Sequence, residues 1–181
     1  MNSDNYIEQD ILEVLKSDKT MLKTEVLCSL VFEEVDTETL KTIIQLITDN
    51  DKSLKNAASN FLIHNNNPNI SSAILDYTSS SDISVRNLAS EILLRKGSAS
   101  LEAICKKLPE IKDDDVIKFL VDILGLIGNK IPEDLIIDIL HVNQNENVIV
   151  ACIEALGNIN SEKGVEHIIP FYEFSDILKP V

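Results

Sequence analysis

The sequence predicts an all-α fold: a right-handed α-solenoid of about five antiparallel helical hairpins behind an N-terminal capping helix. Three observations predict it. Apolar residues recur at intervals of three and four along most of the chain, the pattern returns every 31 or 32 residues, and cap or turn residues stand in phase with it.

The clearest copy runs from Asp82 to Leu108. Asp82, Val85, Ala89, Leu93 and Gly97 mark a first helix, and Leu101, Ile104, Cys105 and Leu108 a second, each set on one helical face. Gly97 suits a left-handed C-terminal cap from which the chain turns back. Strides from Asp82 land on Lys19, Asp51, Asp113 and Asn145, and all but Lys19 are good N-caps. The Val85 position is filled by Leu22, Leu54, Val116 and Val148, and the Ala89 position by Val26, Ala58, Leu120 and Cys152. The Leu93 position reads Leu30, Leu62, Leu124 and Leu156, and the Gly97 position Glu34, Asn66, Gly128 and Asn160. Second helices align through Leu40, Ile70, Leu101, Leu135 and Val165, then Ile44, Ile74, Cys105, Ile139 and Ile169, then Ile47, Tyr77, Leu108, Val142 and Tyr172.

In order, residues 1–17 hold an amphipathic capping helix with Ile7, Ile11, Leu12 and Leu15 on its apolar side. Repeats follow at 18–48, 51–79, 82–108, 113–142 and 145–172, with Asn65 to Pro68 as the loop inside the second. Pro132 opens the second helix of the fourth copy, where proline is tolerated. Gly125 recurs as Gly157, and close helix approach is the expected reason for both. Residues 173–181 read as the opening of a sixth repeat, which leaves two readings: a fragment of a longer array, or a short terminal cap.

Asp82, Val85, Arg86, Ala89, Leu93 and Gly97 resemble the signature of HEAT repeats, and most closely the short bacterial and archaeal kind also found in phycobilin lyases. The resemblance covers nearly the whole chain. It implies a protein-binding scaffold that uses the concave side lined by second helices, and only occasionally an enzyme of the lyase type. The first copy departs from the pattern at Lys19 and Glu34. Arg86 is matched by Lys23, Lys55, Ile117 and Ile149, so the family's Asp-to-Arg ladder is incomplete.

Composition narrows the function further. A net charge of −14 argues against binding a phosphate backbone, and the absence of tryptophan fits aliphatic packing more than base stacking. A basic protein partner suits that charge; the other reading is an acidic face that serves solubility. Cys28, Cys105 and Cys152 are odd in number and fall at apolar helix positions, which reads as reduced core cysteines in a cytoplasmic protein. The N-terminus has no basic and apolar leader pattern, and Lys118 and Asp122 interrupt the most apolar helix, so no membrane span is expected. Asp113, Asp114 and Asp115 lack calcium-loop spacing and suit a helix N-terminus instead. His64, His141 and His167 have no partner at catalytic spacing. No catalytic residue, cofactor or metal is expected.

The expected interaction surface lies one residue past the core marker of each second helix, at Lys41, Ser71, Glu102, Ile136 and Glu166, and five past it, at Gln45, Leu75, Lys106, Leu140 and Pro170. All of these except Ser71 and Pro170, together with Asp138, make up the expected binding face. Leu75, Ile136 and Leu140, flanked by Lys106 and Asp138, form the candidate apolar spot for a partner helix or extended peptide. The competing expectation is that these three bury between neighbouring hairpins. Three functions are carried forward: a non-catalytic scaffold or adaptor, a chromophore-handling lyase subunit, and a purely structural spacer. The sequence is silent on oligomeric state.

Overall fold

A computed structural model describes residues 3–174, with side chains described for residues 10–171. The described residues are all-helical, with no strand among them. None of their helices is long and apolar enough to cross a membrane. The side chains of Tyr6, Ile7 and Tyr172 and the start of a sixth repeat after residue 174 lie outside the described residues.

The chain divides into two compact units, residues 1–96 and 97–181. The division falls at Gly97, inside the stretch from Asp82 to Leu108. The first unit contains α1 (Ser3–Lys16), α2 (Thr20–Ser29), α3 (Thr37–Gln45), α4 (Lys52–His64), α5 (Asn69–Leu75) and α6 (Ile83–Lys96), with 3-10 turns at Leu46–Thr48 and Asp76–Ser79. Here α1 packs on α3, α2 on α4, and α4 on α6, so helices one repeat apart lie together. The second unit contains α7 (Ser98–Lys107), a 3-10 turn at Leu108–Glu110, α8 (Asp114–Ile127), α9 (Glu133–Val142), α10 (Glu146–Asn158) and α11 (Glu162–Phe174). In it α8 packs on α10, and α9 on both α10 and α11.

The in-phase cap residues act as caps. Asp51 accepts the amides of Ser53 and Leu54, Asp113 those of Asp115 and Val116, Asn145 that of Asn147, and Asp82 that of Ser84 at 2.8 Å. Each supplies an acceptor to N–H groups that a helix start leaves unpaired. Lys19 makes no such bond, whereas Asp36, outside the repeat register, caps α3 through Glu38 and Thr39. Burial pushes the Asp36 carboxyl up, but hydrogen bonds from the Thr39 hydroxyl and the Thr39 and Glu38 amides outweigh it and hold the group below the usual carboxylate value.

The turn column is only partly left-handed. Gly128 (φ +74°, ψ +23°) and Asn160 (φ +53°) take positive φ, and Gly128 is a left-handed cap. Gly97 also has positive φ (+55°), but its ψ of −127° lies outside the left-handed helical region, and it leads directly into α7. Asn66 and Glu34 have negative φ. In the second copy the chain leaves α4 through an extended Asn65 instead.

The first-helix columns build the core. Leu54, Val85 and Val148 are buried, as are Ala58, Ala89, Leu120 and Cys152, and Leu30, Leu62, Leu93, Leu124 and Leu156. Copy one is looser, with Leu22 exposed and Val26 half-buried, and in copy four Val116 is half-buried while its neighbour Ile117 is buried. In copies one to three the second-helix columns are buried at Leu40, Ile44, Ile47, Ile70, Ile74, Leu101 and Leu108, but Tyr77 and Cys105 are only half-buried and Ile104 takes the core place beside Cys105. They fail in copies four and five. In α9 the buried residues are Ile136, Ile137 and Leu140, while Leu135 and Ile139 are half-buried and Val142 is exposed. In α11 Val165 and Ile169 are exposed. The apolar run in α9 offers two adjacent faces of similar hydropathy, and packing on α10 selects the one a residue further on.

The two glycines aligned at 125 and 157 differ. A Cβ on Gly125 would stand 2.8 Å from the Ala155 Cα, so its absence lets α8 and α10 come into backbone contact. Gly157 is exposed and a Cβ there would meet nothing within 4 Å, which corrects the expectation of a close approach at both.

Polar side chains also reach between repeats. In the first unit the Asn65 amide donates to the carbonyls of Val31 (3.2 Å) and Glu33 (2.8 Å), beyond the end of α2. The Lys96 amine donates in turn to those of Leu62 (3.2 Å) and Asn65 (2.8 Å), at the end of α4. Asn65 and Lys96 hold the same place in consecutive copies, just before the turn column, and each closes the preceding first helix. Burial holds the Lys96 amine below the ordinary lysine value. In the second unit Asn143 and Asn145 donate to the Asp114 carboxylate at 3.0 and 3.1 Å.

Candidate interaction surface

Of the nine residues expected to form the binding face, the three apolar ones belong to the core. Ile136 and Leu140 are 0 % exposed and Leu75 is 6 % exposed. None is free to hold a partner, and the apolar spot does not exist in this structure. The reason is the register of α9 described above, together with the burial of Leu75 at the end of α5. The six polar positions, Lys41, Gln45, Glu102, Lys106, Asp138 and Glu166, are all exposed.

Around Asp138 and Glu166 the second unit carries a polar seam between α9 and α11. Asp134 accepts from the Lys163 amine at 2.6 Å, and His141 Nε2 lies 2.7 Å from His167 Nδ1 with the rings edge to face. The Asp134 carboxylate, by hydrogen bond and charge, raises the Lys163 amine above its ordinary value, with smaller contributions from Glu133 and Asp138. Asp134, Asp138 and His141 follow one face of α9, and Lys163, His167 and Phe171 one face of α11, at steps of three and four. Sequence reading missed the imidazole pair because His141 and His167 fall in different columns of the second-helix alignment. Their meeting depends on the parallel course of α9 and α11 and on the shifted register of α9.

The cysteines are free and differ in environment. Cys152 is buried, and burial with the nearby Asp122 charge pushes its thiol up to about 12. Cys105 is half-buried, and burial raises its thiol as well. Cys28 is exposed, against the expectation that all three are core residues. It follows the fully buried Leu27 on α2, about 100° further round the helix.

The carboxylates at residues 113–115 are engaged locally. Asp113 caps α8 and Asp114 receives the two asparagine amides. Among the described residues no group of three or more His, Cys, Asp or Glu is placed to hold a metal ion. An open depression beside α1, of about 630 Å³, is lined by Asp10, Leu12, Glu13, Lys16 and Ser17. These lining residues lie within one stretch of chain, without the convergent polar groups of an enclosed ligand site.

No protein-family model matches the chain, and no curated protein matches it. Among solved structures it is similar to the crystal structure of an engineered protein, at 17 % identity over 98 % of this chain and 92 % of that one, with a TM-score of 0.45. A likeness of that degree carries no argument about fold or function.

Proposed function

We propose that this chain is a non-catalytic protein-binding scaffold or adaptor, built as a solenoid of HEAT-like hairpins whose second helices present the binding face on the concave side. The observation that supports it most is the exposure of Lys41 and Gln45 on α3 and of Glu102 and Lys106 on α7 at the same two steps of their helices, with Glu166 at the first of these steps on α11 and Asp138 exposed off-step on α9, while their apolar neighbours build the core. Polar positions recurring on several second helices suit an extended partner, which can meet more than one copy at once. The packing of α8 on α10 and of α9 on α11 is consistent with the two-layer order such a stack needs.

Without Leu75, Ile136 and Leu140 the face is polar, and recognition rests on charge and hydrogen bonding more than on an apolar pocket. A basic helix or extended peptide is the partner the charge of the whole chain favours, at −14, with Glu102, Asp138 and Glu166 as the carboxylates of this face that would meet it. The same reading places the protein in the reducing cytoplasm, as its three unpaired cysteines suggest.

The test is affinity capture from a lysate of the source organism, with wild-type chain beside the charge-reversed Glu102→Lys, Asp138→Lys, Glu166→Lys variant. All three residues are exposed, so the variant should fold. A partner held by the wild type and lost by the variant supports the assignment. A partner held equally by both contradicts the face, and a spacer with no partner of its own predicts no specific capture by either.

A further inference from the structure

The first repeat differs from the others on its outward side. Along α2 and the turn after it, Met21 is 78 % exposed, Phe32 is 82 % exposed, and Cys28 lies exposed between them. Met21 and Cys28, seven residues apart, share one face of α2, about 10 Å apart at the rise of an α-helix, and Phe32 stands in the turn three residues beyond its end. The equivalent positions of copies two to five read Ser53, Ser84, Asp115 and Asn147 for Met21, and Asn60, Glu91, Asp122 and Glu154 for Cys28. For Phe32 they read His64, Arg95, Leu126 and Asn158. Eleven of these twelve residues are polar or charged. Copy one therefore carries an apolar stripe where the repeat pattern places solvated side chains. Nothing in its own hairpin covers it, although the same hairpin buries Leu27, Leu30 and Val31 on its inner side.

The charge around the stripe says what would cover it. Residues 1–41 contain ten acidic and four basic side chains, and residues 42–96 five of each, so the negative excess of the first unit lies in the segment that carries the stripe. Glu25 is exposed on the same face of α2, between Met21 and Cys28, and Asp18, Glu33 and Glu34 stand exposed at the two ends. Exposed apolar side chains interleaved with carboxylates complement a helix that carries Lys or Arg among its apolar residues, in the helix-on-face mode of recognition. A second copy of this chain would bring the same carboxylates against each other, and an anionic membrane surface would be repelled.

We infer that Met21 and Cys28 on α2, with Phe32 in the turn beyond it, form a second docking surface, separate from the second-helix positions, and that it takes a basic amphipathic helix of about three turns. Burying the three side chains supplies the apolar anchors and the interleaved carboxylates set orientation.

The experiment uses the full chain under reducing conditions and a synthetic peptide of Leu and Lys, with leucines at steps of three, four and seven, labelled for fluorescence anisotropy. A scrambled peptide of equal composition is the control. The variant is Met21→Ser, Cys28→Asn, Phe32→His, which installs the residues of copy two at exposed positions. Its thermal unfolding, followed by circular dichroism, should match the wild type. The expected result is that the amphipathic peptide binds the wild type at least about tenfold more tightly than the variant, while the scrambled peptide binds both equally weakly. Binding to Glu102→Lys, Asp138→Lys, Glu166→Lys should retain this preference for the amphipathic over the scrambled peptide. Equal affinity of wild type and variant for the amphipathic peptide overturns the inference, as does equal binding of the two peptides by the wild type, which would mean charge attraction alone. It is also overturned if light scattering finds the wild type dimeric and the variant monomeric at the same concentration, since a second copy would then be the occupant.

Discussion

Replacing Gly125 and Gly157 by alanine should move stability in opposite directions, although the two glycines hold the same place in consecutive repeats. In Gly125→Ala the new methyl stands 2.8 Å from the Ala155 Cα and 2.9 Å from its Cβ, against ordinary carbon contacts of about 3.5–4.0 Å. The obstacle is backbone and cannot rotate away, so α8 and α10 must part. Overpacking of this kind costs about 1–3 kcal/mol. A helix gains about 0.5–1 kcal/mol when glycine becomes alanine, which leaves a net loss of up to about 2.5 kcal/mol. In Gly157→Ala nothing lies within 4 Å of the methyl, so only the gain remains, near the lower figure because the site is one residue from the end of α10. Equilibrium urea unfolding, read at constant slope, separates the two. If both substitutions shift the midpoint the same way, the close approach of α8 to α10 at this level is wrong.

Core truncation should be costly in both units: Leu93→Ala and Leu124→Ala remove fully buried side chains and should each lose about 2–5 kcal/mol by the same assay. Ile136→Asp should exceed about 4 kcal/mol by placing a carboxylate at a 0 % exposed position, and a normally stable variant would return Ile136 to the surface. Asn65→Ala strips hydrogen bonds from the Val31 and Glu33 carbonyls and should cost about 1–3 kcal/mol, seen as a lowered thermal midpoint. Thiol titration with a chromogenic disulfide should find Cys28 fast, Cys105 slower and Cys152 unreactive until unfolding. Since folding raises the Cys152 thiol to about 12, its contribution to stability is intact below the unfolded value of about 8.5. That contribution falls as pH rises from there towards 12, and Cys152→Ala should remove this part of the alkaline loss.

The helical class and most boundaries were legible because caps and apolar steps agree within each copy. Asp51, Asp82, Asp113 and Asn145 all accept backbone amides at the helix starts they mark. The first helices of copies two, three and five were legible at their column positions, since one apolar face is bounded largely by polar neighbours, whereas Leu22, Val26 and Val116 depart from the expected burial. The second helices were less so. In α9 the run Leu135, Ile136, Ile137, Ile139, Leu140 has no polar break to fix its rotation, and only its neighbours decide that Ile136 and Leu140 turn inward. That ambiguity produced the false apolar spot. The imidazole pair and the amide and amine bonds to preceding carbonyls were out of reach for a related reason. They join side chains 26 to 34 residues apart, and nothing in local spacing marks His141, Asn65 or Lys96 as the ones that meet a partner. The exposed stripe of copy one was present in the sequence as a mismatch with the other four copies, and exposure made it legible.

The most direct test of the scaffold reading is photo-crosslinking in lysate from single positions on the two kinds of helix. A photoreactive residue is placed at 102, 138 or 166 on second helices, and at 84 or 147 on first helices, all of them exposed. The account predicts that one partner is crosslinked from the second-helix positions and not from 84 or 147. Crosslinks to that partner from 84 and 147, with none from 102, 138 and 166, would contradict it.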